Sequence, residues 1–279
     1  MIYKEFKLNE FYPTLSDYPK VRAYIHENRQ ELGDREYPCI IVLPGGGYQM
    51  TSEREAEPIA LRYFAEGFNA YVLDYTVLGK GKPYPNAMIE TACLIDLIRQ
   101  GKGGETSRKD QICVIGFSAG GHLASTIATR FDDKKIMDIL GKSARPDCVI
   151  LGYPVTLSGE YGHKGSFEIL SGSADEQTHN EHDTTKYVRP DMPPVFLFHT
   201  ANDQLVPVQN TLIFATKLAE KGVSFECHVY PDGVHGLALA NDVTKTTTEH
   251  DNQINERVAE WVGKSVQFMK LHDIKIKRK

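Results

Sequence analysis

An α/β fold, with a mostly parallel sheet flanked by helices on both faces, is what this sequence predicts. Three observations carry that reading. Short apolar runs alternate with segments of helical period along most of the chain, as strand–helix–strand crossovers require. Some runs are continuous rather than alternating, as in Cys39-Ile40-Ile41-Val42-Leu43, which suits strands covered on both faces. Finally, Gly116-Phe117-Ser118-Ala119-Gly120 stands between an apolar run and a helix-like segment.

Taken in order, residues 2–8 and 21–26 read as two strands before the alternation begins. The run 39–43 is the first buried strand. A helix follows over 55–67, with Ile59, Ala60, Tyr63 and Phe64 on one stripe and Gly67 as its stop. Strand 69–75 leads to helix 85–99, and strand 111–115 leads to the helix after Ser118. Strands are expected again at 147–152 and 195–199. Helix 208–221, strand 224–230 and a last helix over about 251–271 complete the order. No repeat or low-complexity linker interrupts it, so residues 1–279 are expected to form a single domain. Only 157–194 is irregular, rich in Gly, Ser, Asp, Asn and Pro. A connection of that length is expected to be a small lid beside the site.

Composition bounds the function classes. With 41% hydrophobic and 25% charged residues, 279 residues can bury a sizeable core without staples. The net charge of −5 gives no bulk attraction for nucleic acid. The basic end Lys275-Ile276-Lys277-Arg278-Lys279 is expected to be a frayed, solvated tail. No apolar stretch reaches the length of a membrane span, and the N-terminal residues lack a signal-peptide core. Five widely spaced cysteines, an odd number, suit free thiols in a reducing compartment. A cytoplasmic location is therefore expected, and homo-oligomer formation is left open.

The chemistry is expected at Ser118. A turn this tight forces strained backbone angles at the serine and leaves little room for side chains on the flanking glycines. The hydroxyl is then presented at the start of a helix, where free N–H groups favour negative charge. An activated serine needs a base, and the base needs an acid to orient it. In a parallel sheet both must come from loops at the carboxyl edge that presents Ser118. Asp203 lies just past strand 195–199, and His235 lies in the loop after strand 224–230. Asp232 competes for the acid role, but it stands so near His235 that its carboxylate would have to fold back. For the oxyanion, the N–H of Ala119 and those of Gly46 and Gly47 in Pro44-Gly45-Gly46-Gly47-Tyr48 are the candidate donors. No phosphate loop or dinucleotide fingerprint is present.

These pieces resemble the α/β-hydrolases of the esterase/lipase group, including hormone-sensitive-lipase-like and acetyl-xylan-esterase-like proteins. The resemblance rests on the glycine loop, on Gly116–Gly121 with His122, on Asn202-Asp203 with Val206-Pro207, and on Gly233-Val234-His235-Gly236. It extends over nearly the whole chain, and the order Ser, Asp, His is the group's own. Pro44 stands where many relatives carry His, which points away from the hormone-sensitive-lipase branch. So does the lack of a long N-terminal cap segment. The resemblance implies a small serine carboxylesterase acting on short acyl esters, acetylated sugars among them, with no cofactor or metal. Its rivals are a prolyl-oligopeptidase-like serine peptidase and a non-catalytic ligand-binding relative.

Other residues receive structural readings. His122 is expected to pack or cap on its helix, and His199 to support the acid loop. His179 and His182 beside Asp183 are expected in a solvated lid rather than at a metal. Ser52 and Arg54 are expected to cap the next helix.

Overall fold

A computed structural model of the chain describes residues 1–247 and 254–278. Eight strands form the main path of the sheet, in chain order β1 (Ile2–Lys7), β2 (Lys20–Ile25), β3 (Arg35–Leu43), β4 (Asn69–Asp74), β5 (Ser107–Phe117), β6 (Cys148–Gly152), β7 (Val195–Thr200) and β8 (Phe225–Tyr230). They lie in the spatial order β1-β2-β4-β3-β5-β6-β7-β8. From β4 to β8 every pairing is parallel, while β1–β2 and β2–β4 are antiparallel. The mostly parallel sheet expected from the apolar runs is thus present.

The continuous runs are buried on both faces for a visible reason. Ile41 and Leu43 of β3 enter one core with Val114, Leu151 and Leu197. Ile40 and Val42 enter the other with Ile115, Ile150 and Phe198. On the first face pack α2 (Pro83–Arg99), α3 (Ser118–Thr129), α4 (Lys134–Leu140) and α7 (Gln209–Glu220). On the second pack α1 (Glu57–Ala65) and the C-terminal pair Glu256–Ala259 and Trp261–Leu271. Trp261 anchors that pair, stacked on Phe198 at 4.4 Å between ring centroids.

Several boundaries move. Strand β5 runs on to Phe117, the residue before the serine, and α1 starts at Glu57, with Pro58 in its first turn, rather than at Glu55, which sits in a short 3₁₀ turn. Helix α4 has no counterpart in the periodicity reading, since seven residues are too few to show a face. The start of the last helix, as expected from the sequence, includes 251–253, which lie outside the described residues. Within the basic end, Lys277 and Arg278 are not frayed: they form a short strand pairing antiparallel with Glu36 and Arg35 of β3. All five cysteines are free. No described helix is long and apolar enough to cross a membrane.

The segment 157–194 contains two short helices, α5 (Lys164–Ser171) and α6 (Glu176–Asn180), and two 3₁₀ turns. It is well fastened. The Thr184 N–H donates to the Thr156 carbonyl, and Asp183 accepts from the amides of Ser158 and Thr185. Phe167 is buried against His122.

Glycine is required where β3, β5 and α3 converge. A Cβ on Gly120 would sit 2.1 Å from the Leu43 carbonyl oxygen, and one on Gly116 would sit 2.1 Å from that of Gly120. Both obstacles are backbone, which cannot swing aside. Gly120→Ala should therefore destabilise the fold by about 1–3 kcal/mol, the usual range for overpacking. Urea denaturation checks this; an unchanged midpoint would contradict the close approach.

Candidate active site

Four sheet-edge loops meet at Ser118. Its φ of 52° places a non-glycine residue in the left-handed region, at the first turn of α3, and its carbonyl accepts from the Val155 N–H. Its side chain therefore stands off the strand end rather than along it. Ser118 Oγ lies 2.8 Å from His235 Nε2, and His235 Nδ1 lies 2.7 Å from Asp203 Oδ2. Because the carboxylate can only accept, Nδ1 carries the proton and Nε2 is left to accept from the serine hydroxyl.

Asp203 is held from several sides. Its Oδ1 accepts the amides of Leu205 and Val206, both at 2.9 Å, while His199 Nε2 lies 3.3 Å from Oδ2. Burial alone would raise its carboxyl, but the hydrogen bonds from His199, His235 and Val206 outweigh it and hold Asp203 well below the ordinary carboxylate range. His199 also bonds Thr211 and the Val206 carbonyl, so its expected support of the acid loop is what the contacts describe. Asn202 takes the N–H of Gly233, tying the acid loop to the His235 loop. Asp232 is exposed, and its carbonyl is bound by Asn255. A groove of about 590 Å³ opens beside His235, bordered by Gln204, Leu205 and Asp232.

The glycine loop follows β3 directly. Gly45 N–H is taken by Glu55, at 2.8 Å. Among the described residues, the N–H groups of Gly46, Gly47 and Ala119 have no acceptor, and Gly46 and Gly47 both lie at positive φ. The loop presses on the elbow: a Cβ on Gly45 would be 3.0 Å from that of Ser118. From the irregular segment, Ser166 approaches Gly47 and bonds His163 at 2.7 Å.

His122 is buried as a packing residue, with Tyr48 Oη at 2.8 Å from Nδ1 and the His182 carbonyl at 2.8 Å from Nε2. His179 and His182 are not solvated, as the sequence reading had them. Both are buried: within the segment His179 stacks on Phe167 of α5, and the His182 stretch is drawn onto His122 of α3. Among the described residues no cluster of three ligand-type side chains could hold a metal ion. Ser52 precedes the 3₁₀ turn Glu53–Glu55 but makes no capping bond, so the cap reading fails there. Arg54 instead reaches the His235 loop, where a Cβ on Gly236 would lie 2.5 Å from its Nη2.

Burial lowers the His122 imidazole to about 3 and that of His182 to about 4. On unfolding both regain their ordinary values near 6.5. Between these limits the unfolded chain binds more protons, so their contribution to stability is lost as pH falls. Calorimetry should show Tm declining from pH 6.5 toward 4, with a shallower decline in His122→Gln; a flat Tm in the parent would contradict it.

Two residues at the site escaped the sequence reading. Glu55 is buried beneath the glycine loop, and Tyr153 is packed edge-on against His235 at 5.1 Å between ring centroids. Glu55 gives no signal, since an acid before a helix is ordinary. Tyr153 directly follows β6, and the edge rule that located Asp203 would also have marked it.

The family model BD-FAE matches residues 25–218, which includes the glycine loop, the elbow and Asp203. Endo-1,4-beta-xylanase B of Butyrivibrio fibrisolvens is 36% identical over 80% of this chain and 35% of its own length. Acetylxylan esterase of Xylanibacter ruminicola is 26% identical over 85% of this chain and 48% of its own. The chain thus spans half or less of these curated relatives. The crystal structure of an acetyl ester-xyloside bifunctional hydrolase from Caldicellulosiruptor lactoaceticus matches with a TM-score of 0.81 and 33% identity, covering 98% of this chain and 97% of that one. With the sheet order, the glycine loop and the elbow on one edge, these matches place the chain in the BD-FAE family, with the fold of the α/β-hydrolases.

Proposed function

We propose that the chain is a carboxylic ester hydrolase that acts through an acyl-enzyme on Ser118, with acetyl and other short acyl esters of carbohydrates as substrates. The observation that carries the proposal is the hydrogen-bond line from Ser118 through His235 to Asp203, beside three uncommitted amides. His235 Nε2 takes the serine proton as Oγ forms a bond to the ester carbonyl carbon. The displaced electron pair collects on the carbonyl oxygen, where the N–H groups of Ala119, Gly46 and Gly47 stabilise it. Collapse of that intermediate breaks the bond to the alcohol, which leaves with the proton from His235. Water then repeats the sequence on the acyl-enzyme.

Throughout, Asp203 keeps the imidazole in the tautomer whose Nε2 is free, and offsets its charge once it is protonated. The segment 157–194 serves as a fixed cover beside the glycine loop, and residues 1–279 act as one catalytic domain. The acetyl and carbohydrate preferences are supported by the names of the relatives, an acetylxylan esterase and an acetyl ester-xyloside hydrolase.

The test is a hydrolysis screen over acetylated xylo-oligosaccharides, short p-nitrophenyl esters, long-chain esters and aminoacyl amides. Release of acetate from the sugars and of p-nitrophenol from the short esters is expected. Activity on the amides alone would overturn the reading in favour of a peptidase.

A further inference from the structure

Glu55 is a buried acid that the reaction above does not use. Only 2% exposed, it has no ion-pair partner among the described residues. Such a group is expensive to bury unless its oxygens are well bonded. Both are. Oε2 accepts the Gly45 N–H at 2.8 Å, and Oε1 accepts the Tyr153 hydroxyl at 2.8 Å. The Tyr153 oxygen in turn accepts the Ala238 N–H at 3.0 Å. Gly45 opens the glycine loop, and Ala238 lies three residues beyond His235. One unbroken chain of hydrogen bonds therefore joins the two loops through the protein interior.

Tyr153 is shaped by this task. It adopts a φ of 35°, which costs conformational energy for a non-glycine residue and brings its ring against the His235 imidazole. Burial and the adjacent Glu55 carboxyl push its phenol far above the ordinary value, so the hydroxyl remains a donor. Ala238 is fixed on its other side, its carbonyl accepting from the Trp261 indole.

We infer that Glu55 and Tyr153 form an internal strut that sets the separation between the glycine-loop amides and His235, and that both are positioning residues for the reaction at Ser118. The inference rests on the serine esterase reading. Tyr153→Phe removes one oxygen and keeps the ring against His235. Glu55→Gln keeps the volume but leaves one of the two donors without an acceptor.

The test measures kcat and KM for p-nitrophenyl acetate, per site titrated with a fluorophosphonate, in both variants and their double, and turnover per folded chain in Ser118→Ala. Each single variant should lose about 10- to 100-fold in kcat, as small misplacements do, with KM within about threefold of the parent. The double should be no more than about twofold below the weaker single, because both changes break one strut. A merely structural pair would lower Tm and leave kcat per titrated site unchanged, which overturns the strut. Losses that multiply in the double also overturn it. If Ser118→Ala keeps its activity, the serine reading itself falls; if Ser118→Ala is dead and Tyr153→Phe is intact, only the strut falls.

Discussion

Ser118→Ala should lower turnover of a short-chain p-nitrophenyl ester by at least ~10³-fold while the fold is kept. The substitution removes one oxygen whose side-chain hydrogen bond is to His235. The backbone angles at 118, the packing of Gly120 on Leu43 and the Ser118 carbonyl bond to Val155 are all independent of that oxygen. Stability should thus change little, and circular dichroism can establish that before kinetics are compared. Some acceleration over water should survive, since the free amides of Ala119, Gly46 and Gly47 can still polarise a bound ester. Labelling by a fluorophosphonate should vanish, because it needs the nucleophile and not merely the pocket. A folded variant with parental turnover would remove Ser118 from the chemistry. The same experiment separates an enzyme from a ligand-binding relative: a sensor would show no turnover to lose.

Much of this site could be read from the sequence because the sheet turns order along the chain into position in space. Once the apolar runs are accepted as parallel strands, everything just past a strand's carboxyl end falls on one edge. Ser118, Asp203, His235 and the glycine loop all obey that rule, and their hydrogen bonds follow from it. Glu55 does not, because it reaches the site from the first turn before a helix, and its role depends on how far Tyr153 leans over. The segment 157–194 was opaque for a related reason. Its helices are five and eight residues long, too short for a period to emerge, and its stability comes from side-chain bonds such as Asp183 to backbone amides. His182 looked like a loop residue by composition, yet it is buried because the whole segment is drawn onto α3. The C-terminal strand was hidden by its charge. Lys277 and Arg278 read as a solvated tail, but an edge pairing with β3 needs only their backbone and leaves the side chains in water.

Asp203→Asn should cost about 10⁴-fold in kcat, and Asp232→Asn less than about twofold. The contrast follows from counting acceptors. Asp203 accepts four times: Oδ1 takes the amides of Leu205 and Val206, while Oδ2 faces His235 Nδ1 and His199 Nε2. Asparagine offers a single oxygen. If that oxygen stays with the two backbone amides, which hold the loop, the NH₂ group must face His235. A donor there forces Nδ1 to become the acceptor and moves the imidazole proton to Nε2, the nitrogen that must receive the proton from Ser118. If the amide flips instead, the N–H groups of Leu205 and Val206 lose their acceptor and the acid loop loosens, at a cost of about 1–3 kcal/mol for the buried Val206 amide. Either way the base is disabled, by the wrong tautomer or by the wrong position. The two cases separate experimentally, since only the second lowers Tm. Asp232 carries none of these bonds: its side chain is exposed, and its link to Asn255 is through the main-chain carbonyl, which asparagine retains. Equal losses in the two variants, measured on p-nitrophenyl acetate at matched folding, would mean that the acid is shared and that the Asp203–His235 bond does not define the base.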